Sequence, residues 1–373
     1  MSSIFIRTSI APYRIDTYNA FHRCFGMKMC FYRREATDQK FDPEWIESQC
    51  EFKPIYLKGV TLGRPSRKLC FGICRMIWRE KPELVIVPEF QFPMWQALFA
   101  RLFMRRKFRL VSMCDDSIDM ILDDNDYSWI HRMLRNRVPR LLDDIIVLTK
   151  DVQEWYRNHF GKGIWLPIMM DEKKALPYYK SVLPVSTSYL DEFDLSGKKI
   201  ILFVGRLVKL KRVDLLISAY GKMKSEDGVL VIVGDGEERE SLEGLARECP
   251  RRVVFTGRLE GDSLYAWYNI ASVMVLLSSV EPFGAVTAEA LIGGSKILIS
   301  DKAGSACLVE GDNGFVTGID DMDGIISKLD SILESVPVLG KRAEIRDSRM
   351  PFTFDECIER ISTEYGINKN IKG

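Results

Sequence analysis

The run Ala271-Ser272-Val273-Met274-Val275-Leu276-Leu277-Ser278-Ser279 is apolar at almost every position and ends in small polar residues. A strand with two apolar faces needs cover on both sides, which a parallel sheet between helices supplies. Residues 200–204 and 229–233 are similar β-branched runs, and each stops at a glycine. Separated by helix-forming segments, they predict an α/β domain. Directly after the 271–279 run, Glu281-Pro282-Phe283-Gly284-Ala285-Val286-Thr287-Ala288-Glu289 places two carboxylates on either side of a Phe-Gly turn. Gly284 supplies the turn, and residues 286–291 carry helix formers with Ala and Leu on one face. A helix opening there aims free N–H groups and its positive dipole end at whatever lies above the strand ends, which suits a diphosphate. Glu281 and Glu289 would reach hydroxyls on either side of it.

This pattern resembles the E-x7-E motif of the family 4 type of retaining GT-B glycosyltransferases. A second match stands upstream: a strand ends at Gly205, Arg206 follows at once, and Lys211 comes five residues after the arginine. In that family the Gly-Arg and the Lys grip the donor diphosphate, where fixed cations meet the charge that develops on the leaving oxygen. Arg212 departs from the family's usual glycine and either adds charge or faces solvent. Between the motifs lie the 229–233 strand, the Gly234-Asp235-Gly236 turn, a polar helix over 237–248, a short strand over 253–255, the Gly257-Arg258-Leu259 turn and a helix over 264–270. The Gly293-Gly294-Ser295 turn, a strand over 296–300, the Ala303-Gly304-Ser305 loop and a turn over 312–316 close the pattern. The resemblance covers about residues 195–320 and is much weaker upstream.

What the resemblance implies is a GT-B architecture, two Rossmann-like domains facing each other across a cleft. The expected N-terminal acceptor domain is 1–165, with a last helix over 354–373 packing back on it, and the donor domain is 166–353. The donor contacts implied are Glu289 to the ribose, the Arg258-Leu259 loop to the base, and Gly205, Arg206 and Lys211 to the diphosphate. Phe283 and Gly284 would add backbone amides, Pro282, Ala285, Gly234 and Gly236 belong to the same donor-binding set, and Glu281 would hold the transferred sugar. The donor is a nucleotide-diphosphate sugar, UDP-linked by preference or GDP-linked, with no cofactor and no metal. The acceptor would be a glycan or lipid-linked oligosaccharide for surface polysaccharide assembly. A sugar-nucleotide epimerase of the same fold would need more histidine and carboxylate at the sugar ring. A non-catalytic scaffold would have lost Arg206, Lys211, Glu281 and Glu289, all of which are present. A glycan phosphorylase is separated from transfer by its need for inorganic phosphate.

In the first half, β-rich segments at 4–7, 29–33, 84–88, 110–114 and 145–149 alternate with helical stretches, the pattern of a second parallel sheet. The family's Gly-Gly loop after the first strand is replaced by Thr8-Ser9-Ile10-Ala11-Pro12-Tyr13-Arg14. Arg14, on the acceptor side, then either meets a donor or acceptor phosphate or lies on the surface after a turn. The family's histidine after a later strand is also missing; Asp115 and Asp116 stand there, either to orient or deprotonate an acceptor hydroxyl or to cap the helix near Ile118. The stretch 165–171 marks the domain crossing without the family's Pro-Asn-Gly-like sequence, and a linker is expected to about Lys198.

The chain of 373 residues suffices for two domains. Residues 1–180 hold 30 Lys and Arg against 22 Asp and Glu, whereas the remainder is acidic. The basic half suits an anionic partner. Residues 92–104 followed by Arg105-Arg106-Lys107 form either an aromatic helix resting on an anionic cytoplasmic membrane face or a crossover helix packed on the sheet. With no secretory signal and no ~20-residue apolar span, the sequence reads as a cytoplasmic protein, peripheral to the membrane at most. Nine scattered cysteines read as reduced thiols. His22, His131 and His159 lack metal-ligand spacing, and the acidic clusters 123–126 and 320–323 read as solvated loops. No Walker or dinucleotide fingerprint and no aromatic RNA-binding signature occurs, so nucleic acid is not an expected partner.

Overall fold

The computed structural model describes residues 2–35, 42–61, 68–104, 107–122 and 129–365. Arg105, Arg106, the 123–126 acidic cluster and the tail beyond residue 365 lie outside them. The strands are β1 (Ser3–Arg7), β2 (Met27–Phe31), β3 (Ile55–Tyr56), β4 (Gly59–Thr61), β5 (Lys68–Cys70), β6 (Leu84–Pro88), β7 (Arg109–Met113), β8 (Asp144–Val147) and β9 (Ile164–Trp165) in the first half. The second half carries β10 (Lys199–Val204), β11 (Gly228–Val233), β12 (Val253–Gly257), β13 (Ala271–Leu276), β14 (Lys296–Ser300) and β15 (Gly314–Thr317). The chain divides into one unit of residues 1–169 with 355–373 and another of 170–354, so the division falls after Met169 rather than after Trp165.

The first unit holds a parallel sheet in the order β3-β2-β1-β6-β7-β8-β9, with β4 and β5 as a separate antiparallel hairpin. Strand order reverses between β1 and β6. Val85, Val87, Leu110, Ile145 and Val147 are buried beneath the helices on one face, where Met94, Ala97 and Ala100 of the helix Phe92–Phe103 pack onto them. That helix is amphipathic in an unusual sense: its other side, Phe99, Leu102 and Phe103, is apolar and exposed. Both readings of this segment therefore have a face to rest on. From Asp355 onward the helix Phe354–Glu364 belongs to this unit, with Cys357, Ile358 and Ile361 buried.

The second unit is a parallel sheet in the order β12-β11-β10-β13-β14-β15, reversing between β10 and β13. Every residue of β11 and β13 is buried, as their apolar sequences require. Two expectations fail here. The segment read as a linker to about Lys198 forms the helices Glu172–Ser181 and Leu183–Glu192, because Ala175, Tyr179, Ser186 and Leu190 are spaced to bury one face of each. The Asp312–Val316 turn is only a turn as far as Asn313; Gly314 onward pairs with β14 as an edge strand. The short strands β3 and β9 also went unread, being two residues each.

Among the described residues no helix is long and apolar enough to cross a membrane.

Candidate functional site

In open parallel sheets, ligands settle beyond the carboxyl ends of the strands where the strand order reverses. In the second unit that point lies between β10 and β13, and the loops leaving these two strands carry the expected donor residues. After β10 the chain runs through Gly205 and Arg206 to a tight turn at Lys209–Lys211. Ser279, beyond β13, donates its N–H to the Leu210 carbonyl at 2.8 Å, joining the two loops. Glu281 is fixed by its backbone: its N–H reaches the Lys302 carbonyl at 3.3 Å, and its carbonyl accepts from Gly304 at 2.9 Å. These constraints bring Lys211 and Glu281 into an ion pair. Arg206 is exposed, and no described residue pairs with its guanidinium.

The glycines here are dictated by crowding. A Cβ on Gly234, whose φ is +153°, would lie 1.8 Å from the Gly205 carbonyl oxygen. The Gly234 N–H in turn donates to the Gly257 carbonyl at 2.9 Å. The loops ending β10, β11 and β12 are thereby stacked, which brings the Arg258-Leu259 turn toward Gly205; Arg258 is exposed and pairs with Glu260. Gly236 sits against the Leu207 carbonyl in the same way.

Gly284 turns the chain at φ +90° into the helix Val286–Ile292. Pro282 is exposed, Phe283 is buried, and the Phe283 carbonyl accepts from Ser305 at 2.7 Å. Ala285 occupies the helix N-cap. Glu289 is half-buried, and Tyr268 donates its hydroxyl to the carboxylate at 2.7 Å. Burial raises the Glu289 carboxyl above its ordinary range, and the Tyr268 hydrogen bond opposes this. Tyr268 and Tyr179, whose hydroxyl donates to the Glu289 carbonyl at 2.6 Å, were not singled out from sequence. Helical spacing in 261–270 could have flagged Tyr268 as facing the 286–292 helix, but nothing in the sequence names its partner.

In the first unit, Arg14 is neither a surface residue nor a free phosphate ligand. It is 4% exposed, and it donates to Asp115 at 2.9 Å. Arg7 pairs with the same carboxylate and also donates to the Met113 carbonyl at 3.0 Å. Burial acts to raise the Asp115 carboxyl, but the charges of Arg14 and Arg7 outweigh it and hold the group below the ordinary range. Such a carboxylate is a poor proton acceptor. Asp116 pairs with Arg135 at 2.6 Å. The helix at Ile118 takes its hydrogen bond from Ser117, whose Oγ accepts from the Met120 N–H at 3.3 Å, so the expected aspartate cap is replaced by serine.

Glu89, at the end of β6, escaped notice in the sequence. It lies near Cys114 and Asp116, with possible ligand atoms of the three within 4.8 Å of one another. Arg135 already neutralises Asp116, which weakens the set as a cation site. A pocket of about 360 Å³ opens beside Glu89, at the reversal point of the first sheet. A larger one of about 670 Å³ in the second unit, lined by residues 336–349, sits by Ile270 and Ser272 at the amino end of β13, away from the donor loops.

Residues 191–347 match the family model described as glycosyl transferases group 1. An uncharacterized glycosyltransferase of Methanocaldococcus jannaschii is 41% identical over 110 residues, 29% of this chain and 28% of that protein. An O-antigen biosynthesis glycosyltransferase of Escherichia coli is 32% identical over 190 residues, 49% of this chain and 54% of the relative. The chain thus spans about a quarter to half of the curated relatives it matches. Among solved structures, Anabaena HepE in complex with UDP and glucose superposes with a TM-score of 0.69 at 16% identity, covering 98% of this chain and 99% of that one. At that identity the likeness speaks for the fold, which is GT-B, with two Rossmann-like sheets. Over residues 191–347, then, the chain is similar to the glycosyl transferases group 1 family.

Proposed function

We propose that the chain is a retaining, metal-independent glycosyltransferase that moves a sugar from a nucleotide-diphosphate sugar to a glycan or lipid-linked acceptor. The observation that carries this reading is the Lys211–Glu281 ion pair on loops joined at the reversal point of the second sheet, with Arg206 on the first of those loops and Glu289 on the helix that follows. Arg206 and Lys211 take the diphosphate, and the first N–H groups of the 286–292 helix add donors to it. Lys211 must release Glu281 on binding, which frees that carboxylate for hydroxyls of the transferred sugar. Glu289, steadied by Tyr268, takes the ribose hydroxyls, and the Arg258-Leu259 turn borders the base.

In transfer with retention, the bond from the anomeric carbon to the diphosphate oxygen breaks while a bond to the acceptor oxygen forms on the same face. The departing phosphate oxygen takes the acceptor's proton. The two cations stabilise that oxygen as charge develops on it. A UDP-sugar is the favoured donor, supported by the UDP held in the Anabaena neighbour, with a GDP-sugar as second choice. A role in surface polysaccharide synthesis is supported by the O-antigen relative. Docking on the cytoplasmic membrane face is supported by exposed Phe99, Leu102 and Phe103 beside Arg101 and Lys107.

The test is thermal stabilisation by UDP-, GDP-, ADP- and dTDP-sugars, with and without divalent metal, in the wild type and in Arg206→Ala and Glu289→Ala. Metal-independent stabilisation by one nucleotide series, lost in both variants, supports the reading. No shift with any donor would favour a scaffold role instead.

A further inference from the structure

The pocket of the first unit lies where β1 and β6 part, walled by Arg7 and Thr8 on one side and by Glu89, Phe90 and Gln91 on the other. Phe90 adopts a left-handed backbone, φ +47°. For a bulky aromatic this conformation is strained. It turns the chain sharply after Glu89 and sets the Phe90 ring edge-on to His131, 5.0 Å between centroids.

The cations around the pocket are already engaged. Arg7 is spent on Asp115 and the Met113 carbonyl, and Arg14 on Asp115. Arg135 is spent on Asp116 and the carbonyls of Met120 and Ile121. A phosphate entering here would have to displace a carboxylate from each guanidinium it used. Carboxylate oxygens, by contrast, keep accepting capacity after one hydrogen bond. Glu89 accepts from the Tyr156 hydroxyl at 2.7 Å and from the Cys114 thiol, and its two oxygens keep capacity for a further donor where they line the pocket.

We propose that this pocket binds an uncharged sugar through its hydroxyls, with the Glu89 carboxyl as the principal hydrogen-bond acceptor; that this sugar is the transfer acceptor rests on the function proposed above. Acceptors bearing a phosphate at this position are disfavoured because each guanidinium around the pocket would first have to give up its carboxylate. Glu89 is faced by Asp116 and Cys114 from the end of β7, by Tyr156 and Arg135 from two helices, and by Arg7 and His131 across the pocket. Burial, then the Asp116 charge, push the Glu89 carboxyl up to about 7. Sugar binding should therefore strengthen as the carboxylate forms.

Saturation-transfer NMR with methyl α-glucoside, methyl α-galactoside, N-acetylglucosamine, glucosamine and glucose 6-phosphate, at pH 6 and pH 8, tests this on the full chain. At least one neutral sugar should bind the wild type, several-fold more tightly at pH 8. In Glu89→Gln that pH dependence should vanish, and in Glu89→Leu affinity should fall about tenfold or more, ~1.4 kcal/mol. The proposal is overturned if no neutral sugar binds, if glucose 6-phosphate or glucosamine binds tenfold better than every neutral sugar, or if both variants behave as wild type. Thermal stabilisation by UDP, measured on the same three proteins, reads the donor site separately. Its failure with sugar binding intact would fell the donor reading and leave this pocket standing.

Discussion

Lys211 and Glu281, seventy positions apart in sequence, form an ion pair in which both side chains are more than four-fifths buried, with 18% and 14% of their surfaces exposed. The function proposed above gives each partner a separate use once a donor enters, so the two substitutions should separate. Lys211→Ala should weaken UDP binding by about tenfold or more, because it removes a diphosphate cation, ~1.4 kcal/mol or above. Glu281→Gln should leave UDP binding within a few-fold of wild type and weaken discrimination of UDP-sugar over UDP. Isothermal titration with both ligands checks this, and equal losses of UDP affinity in the two variants would contradict the assignment.

The contact of Gly234 with the Gly205 carbonyl makes a second prediction. Gly234→Ala must push the β11 loop away from the β10 loop that carries Arg206, and should cost more than about 2 kcal/mol in stability as well as weakening UDP binding. Gly244, in the helix Arg239–Glu248, has no heavy atom within 4 Å of its built Cβ. Gly244→Ala should stabilise by about 0.5–1 kcal/mol and leave binding alone. Denaturant melts of the two variants, compared with wild type, decide between crowding and general intolerance of a methyl group.

Arg212 stands where the family usually has glycine, and its backbone explains that preference: φ +50° and ψ +41°, at the N-cap of the helix Val213–Lys222. Its guanidinium pairs with Asp214 near the surface, an interaction of the modest kind. Arg212→Gly should therefore raise stability slightly, by up to about 1 kcal/mol, since the relieved left-handed strain exceeds the lost pair. Arg212→Ala keeps the strain, loses the pair, and should be destabilised. A thermal melt in which Gly ranks below Ala would refute this.

How much of this could be read beforehand depended on whether the cause was local. The strands β10, β11, β13 and β14 are continuous apolar runs with a glycine or serine at the end, so their existence followed from burial alone. Arg206, Lys211 and Glu281 follow those strand ends and Glu289 lies on the helix after β13, so motif spacing was enough to put them forward as candidates. Glu89 also follows a strand, but no motif surrounds it; its importance comes from Tyr156, Cys114 and Asp116, which reach it from distant elements. The burial of Arg14 was hidden for the same reason. A turn after β1 gives no hint that Asp115, a hundred residues on, would bury and neutralise it. The segment read as a linker forms helices over 172–192 because Tyr179 and Leu190 bury one face of each, with Pro177 accommodated inside the first and Pro184 in the opening turn of the second.

The Glu89 carboxyl makes a pH prediction whose sign is fixed by proton counting. Its folded value is about 7 against 4.5 for the free side chain, so between those values the unfolded chain has released a proton that the native chain still holds. The native state then binds more protons, and stability falls as pH rises through this window, levelling above pH 7. Glu89→Gln keeps the shape and removes the titration. Relative to wild type, the variant should gain about 1–3 kcal/mol between pH 5 and pH 8. Asp115, held low by Arg7 and Arg14, acts in the opposite sense, its contribution being lost only as pH falls into the acid range, and it is common to both proteins. The difference between their urea melts therefore isolates Glu89. A difference that stays flat from pH 5 to pH 8 would mean that Glu89 is ionised throughout, with the Tyr156 hydrogen bond compensating its burial.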